Sequence, residues 1–209
     1  MKIEFLGQAG LFIEENNSKL LCDPWVSESG GFLARWHQYP PNMNLDLEKI
    51  KKLFISFKIP EGRGDMSVVK KFNKRFKFID ESYNASPKSM TSAIENISSL
   101  KRKNKGRKLV FLGDMLELGK KSKKFHKILS NTINKSDIDK VFVYGKYIRE
   151  TFNSLNKKKR GKTFNNLREA YNYFGKIIHN NDLLMIKGSN ATGLNQFSKS
   201  IKKEQSSVI

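Results

Sequence analysis

Apolar and polar positions in this chain follow two regimes. Up to about residue 57 the apolar residues come in short runs, Lys2 to Leu6, Leu11 to Glu14 and Lys19 to Cys22. They are broken by Gln8-Ala9-Gly10 and Asn16-Asn17-Ser18, which is how small β elements joined by turns are written. After Asp23-Pro24-Trp25 an irregular stretch with Gly and Pro reaches Asn44. A short helix near Leu45 to Lys52 and a strand over Leu53 to Ser56 are predicted next.

Beyond that point strands alternate with helices. Phe76 to Asp80, Lys108 to Leu112, Lys140 to Tyr144 and Asp182 to Lys187 are short and rich in β-branched or aromatic residues. Between them Met90, Ala93, Ile94, Ile97 and Leu100 keep the i, i+3, i+4, i+7 spacing of a buried helical stripe, with Ser86-Pro87 as N-cap and first turn. Phe125, Ile128, Leu129 and Ile133 predict a second helix, and Leu167, Ala170, Tyr171, Phe174, Ile177 and Ile178 a third. Strands separated by such helices form a parallel sheet with right-handed crossovers. The fold class read from the pattern is therefore α/β: a Rossmann-like, mostly parallel sheet with flanking helices, preceded by a short β-rich fragment. Ligands of such sheets bind beyond the carboxyl ends of the strands, so the residues just after each strand are the ones to read for function.

A length of 209 residues suits one domain, or one domain plus a fragment. No stretch approaches a membrane span and Met1 to Gly10 lacks the order of a signal peptide, so the expected location is the cytoplasm. The single cysteine, Cys22, excludes an internal disulfide and a multi-thiolate zinc site and reads as an inert thiol. The net charge of +20 raises nucleic acid or an anionic surface as a partner. The lysines are spread over nearly every element, however, which argues against a dedicated face. The clusters at 101–108 and 156–162 read as solvated loops between elements.

Three strand ends carry dense polar text. Asp80 to Pro87, DESYNASP, delivers two carboxylates, two hydroxyls, a phenol and an amide before a helix whose N-terminus suits a phosphate or carboxylate. It reads equally as an N-cap with turn residues. Val110 to Gly119, VFLGDMLELG, places Asp114 after a Gly-permitted turn, where it can accept from a ligand or from neighbouring N–H groups. Met185 to Gly193, MIKGSNATG, sets Lys187, Ser189, Asn190 and Thr192 at the next helix start, a natural anion site.

DESYNASP, GDMLELG and KGSNATG, in this order on successive strand ends, resemble the C-terminal domain of the Mur ligases, in the branch that adds D-Ala-D-Ala to a UDP-muramoyl tripeptide. The resemblance extends upstream to Glu61-Gly62-Arg63-Gly64, similar to the arginine-containing junction where that family's central domain meets the terminal one, and covers roughly residues 59 to 203. It implies an ATP-driven amide ligase, with Mg, in which a substrate carboxylate is phosphorylated and the dipeptide amine attacks. It implies Arg63 and Glu81 near the nucleotide, and Ser82, Tyr83, Asn84, Asp114, Lys187, Ser189 and Asn190 as substrate-binding positions; no residue is implied as catalytic or as a metal ligand. UDP-MurNAc-peptide and D-Ala-D-Ala are the implied partners. Three positions depart from the family's usual text: Glu81 stands for a second Asp, Ser86 for Asn, and Asn190 for an Arg whose charged fork Asn cannot supply. No G-x-x-x-x-G-K-[ST] loop is present. The nearest text, Gly113 to Ser122, has glycines six apart and Lys121 after Lys120. Residues 58–209 thus read as a closing domain that needs complementing Mur ligase domains.

MKIEFLGQAGLFIE, LLCDPW and WHQYPPN resemble the opening strands of a metallo-β-lactamase-fold hydrolase, over residues 1–57 alone. Where that superfamily's H-x-H-x-D-H run follows, this chain continues FKIPEGRG, and His37, His126 and His179 are not at ligand spacing. The simplest account joins a truncated hydrolase start to a truncated ligase end near residue 57. The competing readings are a basic module for nucleic acid or an anionic surface, and a metal-dependent hydrolase.

Overall fold

The computed structural model describes residues 2–5, 11–15, 18–22 and 62–203 except 103. The helix expected at 45–52, the strand at 53–56, Glu61 and His37 lie outside the described residues. The chain divides into two compact units, Met1–Lys58 and Ile59–Ile209. In the first, β1 (Lys2–Phe5), β2 (Leu11–Glu15) and β3 (Ser18–Cys22) form an antiparallel meander. Its register runs from Lys2 opposite Glu14 to Leu11 opposite Cys22.

In the second unit six strands form one sheet: β4 (Asp65–Lys71), β5 (Lys74–Glu81), β6 (Lys108–Gly113), β7 (Lys140–Tyr144), β8 (Arg160–Phe164) and β9 (Leu183–Lys187). Their spatial order is β4-β5-β9-β6-β7-β8. Only β4 is antiparallel to its neighbour, so the sheet is mostly parallel, as its pattern predicts. The central strands are apolar apart from a lysine at one end, because both of their faces are covered. Every residue of β6, KLVFLG, and of β9, LLMIK, is buried.

The alternation along each strand divides the core in two. Ile79, Val110, Leu112, Val141, Val143 and Met185 face α1 (Pro87–Ser99), α2 (Ser122–Lys135) and α3 (Ile148–Asn153). Phe76, Phe78, Phe111, Phe142, Leu184 and Ile186 face α4 (Leu167–Ile177) and α5 (Leu194–Lys202). The second layer is aromatic: Phe111 meets Phe164, Phe174 and Phe197 at centroid distances of 5.7, 5.3 and 5.2 Å. α1 begins as expected, with Ser86 as N-cap in a reciprocal capping box with Ser89 and Pro87 in the first turn.

Two expectations are corrected, and three elements were not predicted. The α2 stripe is Ser122, His126, Leu129, Ser130 and Ile133, while Ile128 is 48% exposed. His126 can be buried because both ring nitrogens are bonded. Nε2 accepts from the Met115 N–H, which places the proton on Nδ1 toward the Ser122 carbonyl, a neutral ring. The basic clusters are solvated loops only in part. Lys108 opens β6 with its Nζ on Ser98 O and Asp137, Arg102 pairs with Asp137 and Asp139, and Arg107 with Asp182. In the second cluster Lys159 is buried, donating to the carbonyls of Ser136 and Ile138, and burial pushes its ammonium below the ordinary lysine range. β4 and β8 were not predicted, being polar edge strands with weak alternation, DMSVVKK and RGKTF. The short α3 was not predicted either.

Candidate functional site

β9 lies between β5 and β6, yet the helix that follows it packs on the other face from the helices that follow its two neighbours. Both flanks of β9 are therefore switch points where the chain diverges and leaves a crevice at the carboxyl edge. Lys187 closes β9 in this crevice. The odd positions of β9 face the α1 side, so its side chain runs under the loop before α1. Its Nζ reaches Glu81 Oε2 and the Asn84 carbonyl, each at 3.0 Å. The Lys187 side chain is 3% exposed and that of Glu81 24%. Two of the three ammonium donors are thus spent tying β9 to the β5 loop.

Within that loop, Ser82 turns inward. Its Oγ and N–H both donate to Asp80 Oδ1, at 2.6 and 3.1 Å, and it is buried. The other Asp80 oxygen accepts from Lys202 Nζ at 2.8 Å, and Lys202 also holds Asp65. Burial alone would lower the Lys202 ammonium, but the hydrogen bonds it donates to Asp65 and Asp80 outweigh that and the net displacement is upward. Tyr83 projects outward, 47% exposed, with the Arg63 guanidinium stacked 4.5 Å from its ring centroid. Asn84 Oδ1 accepts from the Ala85 N–H.

Loops after β6 and β9 form the opposite wall. Ser189 joins the two: its N–H donates to the Asp114 carbonyl, and its Oγ accepts from the Leu116 N–H. Gly113 and Gly188 lie back to back, and a Cβ on either would fall 2.6 or 2.8 Å from Leu194 Cδ1, so a larger residue there would have to displace the Leu194 side chain. Asn190 is exposed, its side chain accepting from Asn195. Between the walls lies an open cleft of about 690 Å³ lined by Tyr83, Asn84, Leu116, Ser189, Asn190 and Gln196 among others.

Asp114 serves the neighbouring turn. Oδ1 accepts from the N–H groups of Tyr147 and Ile148, and Oδ2 from that of Lys146, all within 2.9 Å. These are the free donors where α3 begins. Gly145 has φ +140° and its Cβ position falls 2.6 Å from this carboxylate, so glycine is what lets the turn fold over Asp114. A second cleft, of about 530 Å³, opens there, lined by Asp114, Leu116, Lys146, Arg149, Asn165 and Thr192 among others.

The nine positions singled out from sequence therefore divide. Glu81, Asn84 and Lys187 converge on one hydrogen-bonded knot; Tyr83, Asn84, Ser189 and Asn190 line the first cleft; Arg63 stacks at its rim on Tyr83. Ser82 and Asp114 are engaged inside the protein, and Asp114 borders the second cleft, not the first. Lys146 and Arg149 were missed. The signal was the strand-end rule itself, applied to β7, whose end Tyr144-Gly145-Lys146 carries a glycine and a cation.

Residues 64–190 match the family model described as Mur ligase, glutamate ligase domain. The chain belongs to the Mur ligase family. Over 164 residues, 78% of the chain, it is 32% identical to the UDP-N-acetylmuramoyl-tripeptide–D-alanyl-D-alanine ligase of Buchnera aphidicola subsp. Baizongia pistaciae, of which it covers 34%. Among solved structures, MurF from Acinetobacter baumannii superposes with a TM-score of 0.63 at 18% identity, covering 97% of this chain and 44% of that one. The Thermotoga maritima MurF ligase in complex with ADP gives 0.56 at 22%, covering 96% and 46%. These two show the fold. The chain thus spans about a third of the length of the curated relative. The Mur ligase match begins at residue 64, so it lends no support to the metallo-β-lactamase likeness of the first 57 residues.

Proposed function

We propose that residues 58–209 act as the C-terminal, substrate-closing domain of an ATP-dependent ligase that joins D-Ala-D-Ala to UDP-MurNAc-tripeptide. The observation that carries this reading is the crevice at β9, where the family's three motif segments, 80–87, 113–119 and 187–193, meet around one cleft, with Lys187 bonded to Glu81 and to the carbonyl of Asn84, a residue of the cleft wall. Tyr83, Asn84, Ser189 and Asn190 are the contacts assigned to substrate, and Arg63 with Tyr83 forms a cationic, aromatic platform suited to the nucleotide. Glu81, bonded to Lys187, is assigned to the nucleotide as well. Ser82 and Asp114 act through shape, the first by holding the β5 turn and the second by holding the β7 turn.

The chain holds no phosphate loop of the G-x-x-x-x-G-K-[ST] type, so ATP phosphates are held by residues other than these 209. Among the described residues no group of three or more His, Cys, Asp or Glu is placed to hold a metal ion, so no magnesium contact is assigned to this domain. No helix among the described residues is long and apolar enough to cross a membrane. The nucleic-acid reading, raised by the net charge of +20, loses ground because Arg102, Arg107, Lys108 and Lys159 are spent on buried or ion-paired structure.

Complementation tests the reading. The full chain is mixed with ATP, magnesium, UDP-MurNAc-tripeptide and D-Ala-D-Ala, with and without the first two domains of a D-Ala-D-Ala-adding ligase supplied as a separate protein. Phosphate release and amide product are expected only in the complete mixture. Turnover by the chain alone would overturn its assignment as a closing domain, and failure of the complete mixture would overturn the assignment to this ligase.

A further inference from the structure

One end of the larger sheet is left open. β4 is an edge strand, and among the described residues no strand pairs with its outer side. Its register sets Met66 opposite Ile79, Val68 opposite Lys77 and Lys70 opposite Arg75, and directly opposed residues share a face. Ile79 places that face on the α1 side of the sheet. The cover does not reach β4: Met66 and Val68 are 50% and 56% exposed, the most exposed large apolar side chains among the described residues. Two hollows of about 160 Å³ each adjoin this face and share Lys77 and Asn181, so a shallow groove follows the strand.

The cations on this face are unspent. Arg102, Arg107, Lys108 and Lys202 each hold a carboxylate, whereas Lys70, Arg75 and Lys77 have no acidic partner among the described residues. Arg75 uses only its backbone, donating to Asn180 and accepting from Asn181. Two apolar side chains are thus set beside three unpaired cations along a free strand edge.

We propose that the β4 edge and its Met66–Val68 face dock an extended acidic segment of a protein partner. Its apolar side chains would lie over Met66 and Val68 and its carboxylates on Lys70, Arg75 and Lys77. The added strand supplies backbone hydrogen bonds and alternate side chains supply specificity, as in strand addition to a sheet edge. A second copy of this chain is disfavoured because it brings its own +20 charge to the contact. Nucleic acid would engage the cations but has no use for Met66 and Val68. It would also find no free ring to stack on, since Phe72 packs on Tyr171 and Phe76 is buried.

The probe is a fluorescent synthetic peptide of about ten residues, Val-Thr-Val-Thr-Glu-Thr-Glu-Thr-Glu-Thr, whose Val and Glu side chains share one face of an extended strand, titrated into the full chain by anisotropy at low and high salt. Saturable binding is expected, weakened about tenfold or more in the double variant Arg75→Glu, Lys77→Glu and severalfold in Val68→Ser. Each variant changes residues outside the core, and its thermal unfolding is recorded alongside. Absence of saturable binding, or binding unaffected by Val68→Ser, overturns the proposal; the second outcome would mark a plain polyanion site, as would full displacement by single-stranded DNA of equal charge. A dimer whose dissociation tracks Val68→Ser would also overturn it, in favour of self-association.

Discussion

Lys187 Nζ and Glu81 Oε2 meet at 3.0 Å although 106 residues separate them in the chain. The pair clamps the ends of two adjacent parallel strands, and the Asn84 carbonyl completes it. Burial gives the contact its weight, because removing one partner leaves the other charge with little water to turn to.

Replacement of Lys187 by Met is expected to destabilise the domain by about 3 kcal/mol, the lower end for a broken buried pair, because Glu81 keeps partial access to solvent. Chemical denaturation of the two proteins measures it. In the complemented ligase assay the same variant should lose most activity, while Lys187→Arg should recover stability better than activity, since the fork of Arg does not reproduce the contact with the Asn84 carbonyl.

Asp114→Ala should cost about 1–2 kcal/mol, the worth of a strong helix cap. Amide exchange should accelerate at Lys146, Tyr147 and Ile148 and stay unchanged in β9. Gly145→Ala strains the same turn from the other side, so the double variant should lose less stability than the two single losses added together. Additive losses would show that the carboxylate and the turn are not coupled.

Acid should unfold this domain partly through Asp137. Arg102, hydrogen-bonded to it, and then Lys108 draw its pKa from 3.8 down to about 2. A depressed carboxyl contributes stability that is complete above its unfolded pKa and is lost as pH falls through the folded one, here between about pH 4 and 2. Asp137→Asn should flatten that limb of the stability curve. The Asp137 side chain is 57% exposed, so salt should shrink the difference between the two proteins.

Phe111→Ala should cost about 3–5 kcal/mol, because Phe111 is fully buried at the centre of the aromatic layer and its neighbours come from β8, α4 and α5. Thermal unfolding at equal protein concentration checks it. A small change would mean that Phe164, Phe174 and Phe197 close over the gap.

Much of the fold was legible in the sequence. β5, β6, β7 and β9 each carry a short run rich in apolar or β-branched residues, α1 announces itself by apolar spacing and an N-cap, and α4 by apolar spacing. β4 and β8 did not, because an edge strand buries less of itself and has little need of apolar alternation. His126 was absent from the predicted stripe for a different reason: a ring that bonds through both nitrogens sits in the core as well as an apolar side chain does.

The sequence by itself determined the alternation of strands and helices and the three polar strand ends, because these depend on residues near one another in the chain. The tertiary structure decided what those residues do. Only insertion of β9 between β5 and β6 brings Lys187 to Glu81, and only the close approach of the β6 and β7 ends turns Asp114 into a cap for three N–H groups. The same holds for charge: Lys108 and Lys77 look alike in the chain, yet one is buried against Asp137 and the other lies on an uncovered face, since packing alone sets which cations meet a carboxylate.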